Sequence, residues 1–221
     1  MKEVVVVTAT KNNLAAPTSS DRLHAALTAG TYPDARLADT LIARCAVEPD
    51  FYVRDMLTWA LCRLPAESTV LRLIRELGSD TAQARSQALH TLSKIGDPRA
   101  WPAAAALLHD ADDEVARSAW RAAAALVPAA EKPALAADLA TALGRGDHEM
   151  QRSLSRALAG LGEVAHPVLN AAATSPDPRV RAHAEATGQL YEDPDSGFAS
   201  ALEIANRVAA LGAVQREEAG C

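Results

Sequence analysis

Residues 50–64 read DFYVRDMLTWALCRL, and the pattern returns four times. The copies are TAQARSQALHTLSKI at 81–95, DDEVARSAWRAAAAL at 112–126, DHEMQRSLSRALAGL at 147–161 and DPRVRAHAEATGQLY at 177–191. Aligned on Val53, Ala84, Val115, Met150 and Val180, they are spaced 31, 31, 35 and 30 residues apart. Offsets 0, +4, +7, +8 and +11 from each anchor describe one stripe of a 3.6-residue helix. Of the 25 residues at these offsets 22 are apolar, where the 49% apolar composition would place about 12. Five helices therefore share one apolar face.

Working outward, Asp50, Thr81, Asp112, Asp147 and Asp177 stand three residues before the anchors. Each offers a short oxygen acceptor for an unpaired N–H of the first helical turn. Pro65, Gly96 and Gly162 follow the stripe as stops. A second set of helices is predicted ahead of these, at 34–46, 67–78, 98–109, 131–143 and 163–173. Leu37, Leu41, Ile42 and Cys45 mark the first, and Val70, Leu71, Ile74 and Leu77 the next. Asp97 and Pro98 read as a cap followed by proline at the first helical position. The result is five hairpins of about 31 residues, each with two apolar faces that only stacking on neighbours can bury.

The ends read differently. Residues 1–18 are expected to be irregular, with a short strand at Glu3 to Thr8. Ser19 to Thr28 reads as a lone helix capped by Ser20 or Asp21. After a break at Asp193 to Gly197, Phe198 to Leu211 reads as a final capping helix, and Arg216 to Cys221 as a frayed tail. The whole, 1–221, reads as one domain: an N-terminal cap at 1–32, repeats at 33–192 and a C-terminal cap and tail at 193–221.

Composition narrows the function classes. The 221 residues carry 22 Lys+Arg against 28 Asp+Glu, a net charge of −6, which argues against a duplex-binding protein held by phosphate contacts. Cys45, Cys62 and Cys221 are too few for a disulfide scaffold. The apolar runs are short of the roughly 20 residues that a spanning helix needs, and Val4 to Val7 is too short for the core of a secretory leader. A cytoplasmic protein with reduced thiols is expected.

The recurrent Asp–x–x–Val–Arg–x–x–Ala–x–x–Ala–Leu pattern resembles the HEAT-repeat family, including its short bacterial form known from phycobilisome-lyase proteins. It is carried here by Asp50, Val53, Arg54, Leu57, Ala60, Leu61 and Leu64, and again by Asp177, Val180, Arg181 and Ala184. The likeness spans about residues 33–192, with Ala116 and Gln151 standing where the family has arginine. It implies an all-α fold: a right-handed α-α superhelix, a HEAT-like solenoid of about five helical hairpins with capping helices at both ends. It also implies that the second helix of each hairpin lines a concave side.

On the wheel, offsets +2, +5, +6 and +9 lie opposite the apolar stripe. They place Asp55, Trp59, His90, Arg117, Trp120, Arg121, Arg152 and Arg156 on the expected binding face. Tryptophan beside arginine is the composition of interface hot spots, and a basic stripe on an acidic protein suits a partner with acidic groups. Arg54, Arg85 and Arg181, at the stripe edge, are expected to form a ladder with aspartates of the inter-helix turns.

Chemistry leaves few traces. There is no Cys-x-x-Cys and no His-Glu-x-x-His for zinc, no Gly-x-Ser-x-Gly, and no phosphate loop. The Arg145–Gly146–Asp147 tripeptide is read through the cap role of Asp147. No cofactor, metal or catalytic residue is expected. The reading is a non-enzymatic scaffold or adaptor that holds a protein or peptide, with nucleic acid and membrane not expected as partners. The resemblance implies two alternatives. One is a HEAT-like DNA glycosylase, with Trp59, Trp120 and Asp55 as its candidates. The other is a bilin lyase-like protein.

Overall fold

The computed structural model describes residues 2–192, with side chains described from residue 7 to 191. The capping helix expected at Phe198 to Leu211, the break before it and the tail lie outside the described residues. The chain divides into two compact units, Met1–Ala122 and Ala123–Cys221. Both are all-α and HEAT-like, and no strand occurs among the described residues.

The first unit contains α1 (Lys2–Asn13), α2 (Ser19–Thr31), α3 (Ala38–Val47), α4 (Phe51–Cys62), α5 (Ala66–Glu76), α6 (Ala82–Ile95), α7 (Trp101–Ala105) and the start of α8 (Asp113–Leu126). The second contains α9 (Lys132–Ala140), α10 (His148–Leu161), α11 (His166–Ala172) and α12 (Pro178–Glu192). The anchored helices α4, α6, α8, α10 and α12 fall where the spacing places them. Val53, Leu57, Ala60, Leu61, Ala84, Ala88 and Leu92 are buried, as are Met150, Leu154, Ala157, Leu158 and Ala184.

Four of the five caps work as expected. Asp50, Asp112, Asp147 and Asp177 accept first-turn N–H groups, while Thr81 caps α6 without a side-chain bond. Gly96, at φ 73°, closes α6 in the left-handed region that a side chain would resist.

The first helices of the hairpins are shorter than predicted. Those at α3, α7, α9 and α11 begin with a 3-10 turn, at Ala35–Leu37, Pro98–Ala100, Ala129–Glu131 and Gly162–Ala165. Pro102, Pro133 and Pro167 then open α7, α9 and α11, where a missing N–H costs nothing but the preceding chain cannot enter as regular helix.

The N-terminal segment corrects the reading. Glu3 to Thr8 is part of helix α1, not a strand. The β-branched run Val4 to Val7 leans weakly towards strand, but Val7, Thr10 and Leu14 are buried at helical spacing and α1 packs on α2. Helix α2 is capped by Thr18, not by Ser20 or Asp21: the Thr18 hydroxyl accepts the Asp21 N–H and donates to the Asp21 carboxylate.

The consensus arginines also differ from the expected ladder. Arg54 donates to the carbonyls of Glu48 and Pro49, Arg85 to those of Ser79 and Asp80, and Arg181 to those of Ser175 and Pro176. Each arginine, four residues after its cap, grips the carbonyls five and six residues back and so fixes the turn that enters its helix. Of the three, Arg85 alone is seen to add an aspartate, Asp110 at 3.1 Å. Arg22, four residues after Thr18, makes the same grip on Ala16 and Pro17. Thus α1 and α2 carry the repeat's own signature. Gln151, in the arginine position of α10, reaches the Gly146 carbonyl in its place.

Arg22 also anchors the unit's buried ion cluster. Glu48 is fully buried between Arg22, bidentate at 2.7 and 2.9 Å, and Arg44 at 2.7 Å, and it accepts the Asp50 N–H. Burial opposes its charge, but these donors outweigh it and hold its pKa down to about 2.

Candidate functional site

Within the first unit, α4, α6 and α8 present one face of three successive hairpins, and between them runs a groove of about 360 Å³. Helix α4 contributes Phe51, Arg54, Asp55 and Thr58; α6 contributes Ser86, Gln87 and His90; α8 contributes Glu114, Arg117, Ser118 and Arg121. Asp55, His90, Arg117 and Arg121, all anticipated from the wheel, meet here.

The groove's chemistry is polar and only partly paired. Arg117 bonds Glu114 at 3.0 Å through Nη1, yet its Nε is buried and has no hydrogen-bond partner in the protein. The Thr58 hydroxyl is also buried without a partner. Arg121 donates to Ser118 at 3.1 Å, and the Ser118 and Ser86 hydroxyls meet at 3.0 Å. Burial, then the neighbouring charges of Arg121 and Lys94, lower the His90 pKa from its ordinary 6.5, against a smaller opposing pull from Asp55. Burial and the nearby Arg117 charge lower that of Arg121 as well. At the rim the Phe51 ring is exposed, with the Arg54 guanidinium 5.9 Å from its centroid.

The tryptophans correct the reading. Trp120 is not on an open face: it is buried, and its indole N–H donates to the Leu108 carbonyl at 2.9 Å. Offset +5 is closed at Thr58, Leu89, Trp120 and Ser155 alike. Helix α4 packs against its own hairpin partner α3 and against the second helices α2 and α6 beside it, and α6 packs against α5 and α4. The buried arc is therefore wider than one apolar stripe.

Trp59 is partly exposed, but its ring lies against Gly30 of α2, where an added Cβ would collide with the indole, and Arg63 sits 5.9 Å from its centroid. It does not line the groove. Arg152 and Arg156 are exposed on α10 of the second unit. The sequence reading missed Phe51, Arg54, Thr58 and Glu114. The signal it lacked was the absence of any charged residue at offset +5 in the first four copies, which marks that position as interior.

In the second unit, the same offset holds a closed network. Ser155, His183 and Thr187 are fully buried. The Gly144 N–H donates to His183 Nδ1 at 3.0 Å, which leaves the proton on Nε2, facing Ser155 and the Gln151 carbonyl at 3.0 Å each. Thr187 donates to the His183 carbonyl and lies 2.7 Å from the Ser155 oxygen. A ring that donates towards the serine, with no access for substrate, is not set to act as its base. Burial takes the His183 pKa down to about 4, against a smaller opposing effect of its bond to Gln151.

Among the described residues no group of three or more His, Cys, Asp or Glu side chains could hold a metal ion. None of the described helices is long and apolar enough to cross a membrane. Cys45 is buried and its pKa is pushed up to about 12, so it stays a thiol.

A family profile described as HEAT repeats matches residues 38–126, the stretch that builds the groove. Residues 38–126 are HEAT repeats. No match was found among curated proteins. Solved structures similar to the chain include a crystal structure of an engineered protein, at 21% identity over 88% of this chain and 97% of the other, with a TM-score of 0.49. The complex of CpcE and CpcF of phycocyanin lyase from Nostoc sp. matches at 17% identity over 92% and 94%, with a TM-score of 0.41. Human deoxyhypusine hydroxylase in complex with glycerol matches at 17% identity over 95% and 98%, with a TM-score of 0.47. These likenesses are too distant to bear on function.

Proposed function

We propose that the protein is a non-enzymatic interaction module, a scaffold or adaptor, that holds an acidic partner protein in the α4/α6/α8 groove of its HEAT repeats. One observation carries this: three successive helices converge side chains of both charges, with two buried donors unpartnered, beside an exposed phenylalanine. An open polar groove with an aromatic rim is the anatomy of a recognition surface. The cytoplasm suits the free thiols of Cys45 and Cys62.

The glycosylase alternative loses support, because Trp120 lies in the interior and Trp59 against α2, so neither could flank a base beside Asp55. The bilin-lyase alternative has no residue of this chain to favour it.

The test is native mass spectrometry of the tagged full-length chain drawn gently from its own lysate, beside an Arg121→Glu variant. The expected result is a protein partner held by the wild type and lost from the variant, with both melting alike. Equal capture by both would overturn the assignment to this groove. Release of base from an alkylated oligonucleotide, or a bound coloured tetrapyrrole, would overturn the non-enzymatic reading.

A further inference from the structure

Thr69, Thr91 and Thr187 each donate their hydroxyl to the carbonyl four residues back, at 2.9, 2.8 and 2.7 Å. That is the usual resting place for a helical threonine. Thr58 does not: the residue lines the groove, yet its oxygen is buried and has no partner. Arg117, on a different helix of the same groove, likewise leaves a buried Nε–H unused while its Nη1 is engaged by Glu114. Buried donors in folded proteins are nearly always satisfied, so two orphans lining one groove call for an acceptor from outside. Arg121 adds a charged donor whose bond to Ser118 occupies only one of its nitrogens.

We propose that the groove is an oxyanion pocket, in which a phosphate or carboxylate group of a partner polypeptide accepts hydrogen bonds from the Thr58 hydroxyl, Arg117 Nε and the Arg121 guanidinium. The pocket rests on the reading of this groove as the partner's seat. A tetrahedral or planar oxyanion supplies several acceptor lone pairs for the donors that line this groove, and guanidinium groups match its geometry. Glu114 already engages Arg117, and across the groove as a whole Arg54, Arg117 and Arg121 stand against Asp55 and Glu114, which leaves a small net positive charge. His90, its charge disfavoured by its setting, adds a neutral N–H donor without adding repulsion to Arg121. The groove, at about 360 Å³, is much larger than one oxyanion, so the anion is a group on a longer chain, the rest of which lies by the exposed Phe51 ring.

The test is an NMR titration of the full-length chain with inorganic phosphate, acetate and chloride at matched ionic strength, following the Thr58 amide and the Arg117 Nε–H. The expected result is a saturable shift with an oxyanion and none with chloride. Thr58→Val and Arg117→Lys, the second keeping its charge, should each weaken the binding tenfold or more while melting as folded proteins. Tighter binding of phosphate assigns a phosphorylated partner, and tighter binding of acetate an acidic one. Shifts that never saturate, or affinities unchanged in both variants, would overturn the pocket. If that happens while Arg121→Glu still loses the co-purifying protein, the module stands and its anion chemistry falls. Saturable oxyanion binding with equal capture by that variant leaves the pocket and removes the captured protein from this groove.

Discussion

Thr58 of α4 and Ser155 of α10 occupy the same position in their repeats, five residues after the anchor, and both hydroxyls are buried. Ser155 is closed in by His183 and Thr187, at 3.0 and 2.7 Å, whereas Thr58 meets no partner. The contrast separates two uses of one register. In the second unit a polar group at this position is spent on holding helices together. In the first it is left available at a groove. A saturated polar network rigidifies its surroundings, and an unsaturated one costs stability unless a ligand completes it.

The largest expected effect lies on the saturated side. His183→Ala opens a cavity, strands the Gly144 N–H and leaves the Ser155 hydroxyl with Thr187 alone, so urea unfolding followed by circular dichroism should show a loss of about 3 kcal/mol or more. A loss under about 1 kcal/mol would show that the network holds little.

His183 and Glu48 should also titrate in separate windows. His183, its pKa taken from 6.5 to about 4 by burial, stays neutral in the folded chain while the unfolded chain gains a proton. Its contribution is therefore whole above pH 6.5 and is lost as the pH falls from 6.5 to 4, a total of about 3 kcal/mol. Glu48, its pKa depressed from 4.5 to about 2, contributes above pH 4.5 and loses that contribution only below it. Urea midpoints measured from pH 7 to pH 4 should fall in the wild type and much less in His183→Ala. Parallel curves would contradict the assignment.

Trp120→Phe, which deletes one buried donor and leaves the Leu108 carbonyl unpaired, should cost about 1–2 kcal/mol in the same assay. Trp59→Phe, on a partly exposed ring, should cost less and leave partner capture intact. If the order were reversed, the interior placement of Trp120 would be wrong.

These sites also show what could be seen from sequence. The anchored helices were legible because apolar spacing and Asp caps are local signals that stacking reinforces. The run Val4 to Val7 misled, because contact of α1 with α2 outweighs a weak propensity. Asp55, His90, Arg117 and Arg121 were legible because a charged or polar residue opposite the stripe faces out. Thr58, Phe51 and Glu114 were not, since the wheel treats a helix as having one buried face. In a stack, a second helix such as α4 is also flanked by the second helices beside it, which closes the position of Thr58, while Trp120 turns its indole N–H inward to the Leu108 carbonyl. Partnering of a hydroxyl is a tertiary fact that no spacing carries.

The most direct measurement is the pair of hydroxyl-deleting variants Thr58→Val and Ser155→Ala, compared by urea midpoint in the absence of partner. Val at position 58 removes an unpaired buried hydroxyl, so stability should hold or rise by up to about 1 kcal/mol while oxyanion binding is lost. Ala at position 155 breaks a satisfied network, so stability should fall by about 1–2 kcal/mol. Opposite signs are what the account predicts. A fall of similar size in both would contradict it, because the Thr58 hydroxyl would then be tied into the fold as firmly as that of Ser155.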